Sequence, residues 1–274
     1  MSRERFLAPG LGPFRADNLR PKDPYELSRG HAIRLSPTGG QGSNLQGGAY
    51  AILSSDPKVV RVGVDPGFKL DEASLRAPDI AILPENPPPG WVPGAPMLAI
   101  EYAGPGQDEA ELQQKIQDFL AAGTEYLWIV RLVGPRRVEV YAKGRFSVAV
   151  DGDTLSAPEY LANPVPVRAL FDDEEARALQ LVNLLQRHGY RSLDDALGQA
   201  RSAGREEGRD EGRQEGREEA RRAAREGLLA AVSARGWALD DVARARVDAA
   251  DQVALVRWLV RAVSASDLED LFGG

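Results

Sequence analysis

The chain contains no cysteine. Disulfides, thiolate metal sites, iron–sulfur clusters and cysteine nucleophiles are therefore excluded. The composition suits a reducing cytoplasm, where the chain is expected to reside. Only two histidines occur, His31 and His188. A histidine-rich zinc site is excluded, and a Ser–His–Asp triad would have to use one of these two. No apolar run approaches ~18 residues, so no segment reads as a membrane span. The opening MSRERFLAPGLGPF has charge but no apolar core, so no secretory signal is expected. A strong basic excess is also missing. Residues 1–170 carry 18 Lys and Arg against 20 Asp and Glu, and residues 171–274 carry 16 against 21. Non-specific nucleic-acid binders show the opposite balance. A nucleic-acid role here needs a local basic surface, or metal ions to offset phosphate charge.

What is present suffices for a packed core. The 274 residues are 43% hydrophobic and 27% charged, which fits one domain of ordinary size plus an appendage and argues against global disorder. Residues 1–24 read as an extended lead-in, rich in Pro, Gly and charge. Ser36 to Ser43 reads as a loop; it has glycines but lacks the Gly-Lys-Ser/Thr ending of a phosphate-binding loop. A short helix is expected from Asn44 to Leu53. Strands are expected at 59–64, 79–83 and 97–103, the last two separated by a proline-rich loop over 84–96. A helix over about 108–122 presents Leu112, Ile116, Phe119 and Leu120 on one face and stops at Gly123. The run 125–132 reads as a central strand, and 137–143 with 146–150 as a hairpin turning at Gly144-Arg145. After Phe171 the chain turns helical, with acids 172–175 in a first turn where the helix dipole favours them. His188 reads as a helix-end residue, and Trp128 as core.

The chemistry-bearing residues are acidic. Asp79 opens one strand, and Glu101 ends another after Leu98-Ala99-Ile100. Burying that carboxylate costs several kcal/mol unless it is paired or holds a metal. Neighbouring strand ends would bring the two together as a hard-oxygen site for Mg²⁺. Lys115, on the following helix, could orient or deprotonate an attacking water, or stabilise developing charge. The structural alternative is that Asp79 caps a turn, Glu101 pairs with an arginine, and Lys115 is a surface charge paired with Glu111.

The runs Arg76-Ala77-Pro78-Asp79-Ile80-Ala81-Ile82-Leu83, Leu98-Ala99-Ile100-Glu101-Tyr102-Ala103-Gly104-Pro105 and Lys115 to Val130, with Glu125-Tyr126-Leu127-Trp128 inside it, resemble the Uma-two family of restriction-endonuclease-like proteins in the PD-(D/E)XK nuclease superfamily. Glu101 to Lys115 spans the fourteen residues of the family pattern. Tyr25 to Gly30 and Ser36 to Gly40 match its opening. The resemblance implies an α/β fold, a restriction-endonuclease-like mixed sheet flanked by helices. It implies Asp79 and Glu101 as catalytic metal ligands for Mg²⁺ or Mn²⁺, Lys115 as a catalytic lysine moved from strand to helix, and Glu26 as an additional acidic residue. The sequence departs from the pattern at Ala103, where no lysine follows Glu101 by two, at Gly104 in place of serine, at Gly42 in place of histidine, and at His31 in place of an acid.

The resulting organisation is a lead-in (1–24), a nuclease-like domain (25–170), helices including a Gly-Arg-Glu repeat (171–227) and a small helical segment (228–274), the last two forming an all-α C-terminal extension. In the repeat, Ala200, Gly204, Gly208, Gly212, Gly216, Ala220 and Ala224 form a stripe of small residues on one helix. Pairs such as Glu206–Arg209, Asp210–Arg213 and Glu218–Arg221 would support the helix by tenths of a kcal/mol each, against ~1 kcal/mol per interior glycine. Either another helix packs on the stripe at 200–224, giving self-association, or the segment is a solvated spacer. The tail loosely resembles those of several PD-(D/E)XK nuclease and transposase-associated proteins. The expected function is a metal-dependent DNA endonuclease-like protein with no membrane partner. The rivals are an inactive nuclease-fold scaffold that oligomerises through its tail, and an RNA-directed nuclease.

Overall fold

The computed structural model describes residues 12–273, and of the lead-in the segment 1–11 lies outside the described residues. Contacts divide the chain after Leu193 into two units. In the first, the β1 (Tyr25–Ser28) and β2 (His31–Arg34) hairpin precedes α1 (Gly40–Ser55). Then come β3 (Val62–Val64), β4 (Phe68–Lys69), β5 (Leu75–Arg76), β6 (Ile80–Ile82), β7 (Val92–Pro93) and β8 (Leu98–Ala103). After α2 (Glu109–Ala121) follow β9 (Tyr126–Arg131), β10 (Arg137–Ala142) and β11 (Arg145–Val150). The small pair β12 (Thr154–Leu155) and β13 (Val165–Pro166) leads to α3 (Asp173–Arg187).

The main sheet has the order β11-β10-β9-β8-β6-β3. It is mixed: β8 and β9 run parallel, joined across α2, while the other neighbours are antiparallel. All six residues of β8 are buried, as a strand covered on both faces requires. Leu98, Ile100 and Tyr102 pack with Leu45, Ala49, Ile52 and Leu53 of α1. Ala99 and Ala103 pack with Leu112, Ile116 and Phe119 of α2. Trp128 is fully buried in β9, where a large side chain contributes roughly 1.5–3 kcal/mol.

Several expectations need correction. A second sheet, β2-β1-β5-β4-β7, was not foreseen; its strands run two to four residues, too short to show a period. It draws β7 from the proline-rich loop. Part of the expected 36–43 loop is helix, because α1 starts at Gly40 and the burial of Leu45, Ala49, Ile52 and Leu53 outweighs its glycines. The hairpin turns at Lys143-Gly144, since Ala142 pairs with Arg145; both turn residues have positive φ, 50° and 76°, as a two-residue turn of this hand needs. Residues 171–193 fall in the first unit: in α3, buried Asn183 donates to Ile52 O at 3.1 Å, and Arg187 donates to carbonyls that close α1.

The second unit holds α4 (Leu193–Ala234), α5 (Asp241–Ala249), α6 (Gln252–Arg261) and α7 (Leu268–Phe272). Leu228, Val232, Val247, Leu255, Trp258 and Leu271 make its core. Asp240, Asp251 and Asp267 cap the three short helices. Over 200–219 every α4 residue is exposed, and nothing lies within 4 Å of a Cβ built on Gly204, Gly208, Gly212 or Gly216. Of the three expected ion pairs, Asp210–Arg213 forms at 3.5 Å, whereas Arg221 donates to Ala250 O and Asp248 O. Among the described residues no helix is long and apolar enough to cross a membrane.

Candidate active site

The register of the main sheet places the two acids. Ile80 pairs with Ile100 and Ala81 with Ala99, so one further antiparallel step sets Asp79 opposite Glu101. Side chains alternate along β8, so Glu101 shares the α2 side with Ala99 and Ala103. The Asp79 amide donates to Glu101 Oε2 at 3.3 Å, and the Tyr102 amide donates to Asp79 Oδ2 at 2.6 Å. Gln46 of α1 also bonds the Asp79 side chain.

Lys115 reaches the pair from α2, which Asp108 caps by accepting from the Ala110 and Glu111 amides. Its Nζ donates to Glu101 Oε1 at 2.7 Å and to Ala77 O at 2.8 Å, and lies 3.2 Å from Glu26 Oε1. The first two are hydrogen bonds and the third is an ion contact. Glu26, on β1, is itself buried and accepts from the Ala77 amide and from Arg76. Asp79, Glu101, Lys115 and Glu26 thus converge, although they stand on four different elements or their edges. Two of the structural alternatives are not realised: Glu101 pairs with a lysine rather than an arginine, and Glu111 pairs with Arg76 rather than Lys115.

Burial governs the electrostatics. Glu101 is 5% exposed, and loss of water pushes its pKa up to about 8 against the pull of Lys115, with Asp79 and Glu26 adding repulsion. Asp79 is raised by the same loss of water, which Lys115 and the Tyr102 amide oppose. Burial alone would lower Lys115, but Glu101, Glu26 and Asp79 outweigh it and hold the ammonium charged. Four buried or half-buried carboxylates, Glu26, Glu101, Glu111 and Asp118, share two cations, Lys115 and Arg76.

That donor set fits a small divalent cation. Two neighbouring carboxylates suit Mg²⁺ or Mn²⁺, which take one or two protein oxygens and complete their shell with water and phosphate. Among the described residues no group of three or more His, Cys, Asp or Glu side chains is placed to hold a metal ion. The site lines a cleft of about 1540 Å³ that Lys22, Arg34 and Arg136 also border.

Four contributors had no assigned role in the sequence reading. Arg76 stands inside the Arg-Ala-Pro-Asp run, a cation in an otherwise apolar strand, which is a signal that was there to use. Asp118 follows Lys115 by three on the same helix face, also a usable signal. Asp65, whose charge raises the Asp79 pKa, and Gln46 come from a distant turn and a distant helix and carried none. The departure at Ala103 has a structural counterpart: its small buried side chain sits on the α2 side of β8, where Lys115 arrives. His31 is exposed on β2.

Residues 14–167 match the model of the Uma2 family, described as "Putative restriction endonuclease". No curated protein sequence matches the chain. A solved structure described as "a putative nuclease belonging to DUF820" from Anabaena variabilis is similar at 19% identity and a TM-score of 0.47, covering 56% of this chain and 90% of its own.

Proposed function

The chain belongs to the Uma2 family, whose description supports a nuclease-type role, and from that premise we propose that it is a divalent-cation-dependent DNA endonuclease of the cytoplasm. The observation that carries the proposal is the contact of Lys115 Nζ with Glu101 Oε1 at 2.7 Å, in a site where Asp79 stands opposite Glu101. Asp79 and Glu101 would hold Mg²⁺ or Mn²⁺. When bound, such an ion supplies Lewis acidity toward a phosphoryl oxygen and toward water. Lys115, whose pKa its carboxylate neighbours raise, would donate a hydrogen bond to oxygen that gains charge. Glu26 holds the Lys115 ammonium from its other side. Lys22, Arg34 and Arg136 at the cleft edge supply the local cations that the acidic net charge otherwise denies to a phosphate backbone.

One observation favours a second reading. Lys115 Nζ is held by Glu101, the Ala77 carbonyl and Glu26, all within the protein, as in a closed structural network, which is what an inactive nuclease-fold scaffold would show. In either reading the α4 segment 200–224 is assigned to self-association. The deciding experiment is cleavage of supercoiled plasmid by the full chain in Mg²⁺ or Mn²⁺, with EDTA, Asp79→Ala and Glu101→Ala as controls and structured RNA as a parallel substrate. Metal-dependent nicking lost in both variants supports the endonuclease. No turnover of DNA or RNA in either metal leaves the scaffold.

A further inference from the structure

A catalytic lysine carried by a helix raises a problem that one carried by the strand does not. Strand neighbours are fixed by the ladder, whereas a helix can roll on the sheet and swing its side chains away. Arg76 answers this problem. Its side chain is fully buried, and its guanidinium grips α2 on both sides of Lys115. Nη1 donates to Glu111 Oε1 at 2.6 Å, four residues before Lys115. Nε donates to Asp118 Oδ2 at 2.9 Å, three residues after it. Nη2 lies 2.7 Å from the same oxygen, in ion contact but off the hydrogen-bond direction. Residues 111, 115 and 118 share one helix face, so two grips fix the roll angle of α2 between them. Nη1 also donates to Glu26 Oε2 at 2.9 Å, and the other oxygen of Glu26 faces Lys115 Nζ. Ser28 Oγ and Gln114 Nε2 donate to Asp118 at 2.7 and 2.8 Å and complete the seam between β1 and α2.

We propose that Arg76 is a positioning residue, which sets the roll of α2 and the orientation of Glu26 and so aims Lys115 at Glu101. The kinetic part of this proposal rests on the endonuclease reading above; the geometric part does not. A planar fork with fixed donor directions can hold three carboxylates at set angles, and a lysine cannot.

The test uses the full chain carrying Arg76→Lys, with Glu111→Gln as a milder variant because Glu111 is partly exposed and its loss leaves Arg76 paired to Glu26 and Asp118. Two readouts are taken: kcat and KM for plasmid cleavage, and the rate at which an acylating reagent labels Lys115, followed by mass spectrometry. Folded R76K is expected to lose about 10-fold or more in kcat, as misplacement of a reacting group does, with KM for DNA nearly unchanged. Lys115 labelling should rise several-fold, and E111Q should move both readouts the same way by less. Folded R76K with unchanged kcat and unchanged Lys115 protection would overturn the proposal, as would a loss seen in KM alone. If R76K does not fold, E111Q is judged by the same two readouts. If the wild-type chain cleaves nothing, the endonuclease reading fails by itself, and Lys115 labelling alone decides the positioning role.

Discussion

Glu101 occupies a β8 position whose neighbours on the same face are alanines, and its proton is held by burial. Its folded pKa, about 8, lies above the ordinary 4.5, so the protonated form stabilises the native state fully below pH 4.5. That contribution is lost as pH rises through about 8. In EDTA, the melting temperature should therefore fall between pH 5 and 8, and Glu101→Gln, which cannot ionise, should flatten this slope; equal slopes in both proteins would contradict the burial argument. Glu101→Ala is a different change. It leaves the Lys115 ammonium with Glu26 and the Ala77 carbonyl, a loss of about 1–3 kcal/mol in urea denaturation. Repulsion between the two acids alone would leave stability little changed or raise it, and the lysine contact revises that expectation. For cleavage, Asp79→Ala and Glu101→Ala should each lose more than the ~10–100-fold typical of outer-shell changes at metal sites. Which acids to suspect was legible in the sequence, because Glu101 follows an apolar run. Arg76 and Asp118 carried usable signals, but which carboxylates Arg76 meets was not legible, because its partners lie 35 to 50 residues away and their pairing depends on the register of strands and helix.

At the scale of elements, β8, α2 and β9 were readable because each carries a clear period or apolar run and α2 has a cap and a glycine stop. The five-stranded sheet was not readable, because β4, β5 and β7 are two residues each and are held by pairing rather than propensity. Yet that sheet delivers Glu26 and Arg76. The helix that carries Lys115 depends on its first turn. Asp108→Ala removes the acceptor for two amides and should cost about 1 kcal/mol by chemical denaturation. If α2 must hold its roll angle for Lys115 to act, the same variant should lower kcat for DNA cleavage; unchanged kcat would show that capping and positioning are separate.

For the whole molecule, the widest unburied feature is the stretch 200–219 of α4, whose residues bury nothing in the single chain. The four glycines weaken that helix by ~1 kcal/mol each relative to alanine. Brief trypsin treatment should therefore cut first at Arg205, Arg209, Arg213 or Arg217, before any site in the sheet. Replacing Gly204, Gly208, Gly212 and Gly216 together by alanine should slow that cleavage. Light scattering at tens of micromolar tests self-association: a monomeric full chain removes the oligomerisation role and leaves a spacer, whereas an oligomer that the alanine variant loses requires close helix contact at those glycines.

The placing of Glu26, Asp79, Glu101 and Lys115 on separate elements has a bearing on the safety of making such a protein. The four residues are spread over positions 26–115, and no single helix or strand holds more than one of them. Asp79 meets Glu101 only when β6 has paired with β8, and a slip of one residue would put Ile80 or Pro78 in its place. Lys115 arrives only when α2 has settled over the sheet. A nascent chain that ends before α2, or one whose strands are mispaired, therefore lacks the arrangement of these four side chains, which forms only when the sheet has closed in its native register.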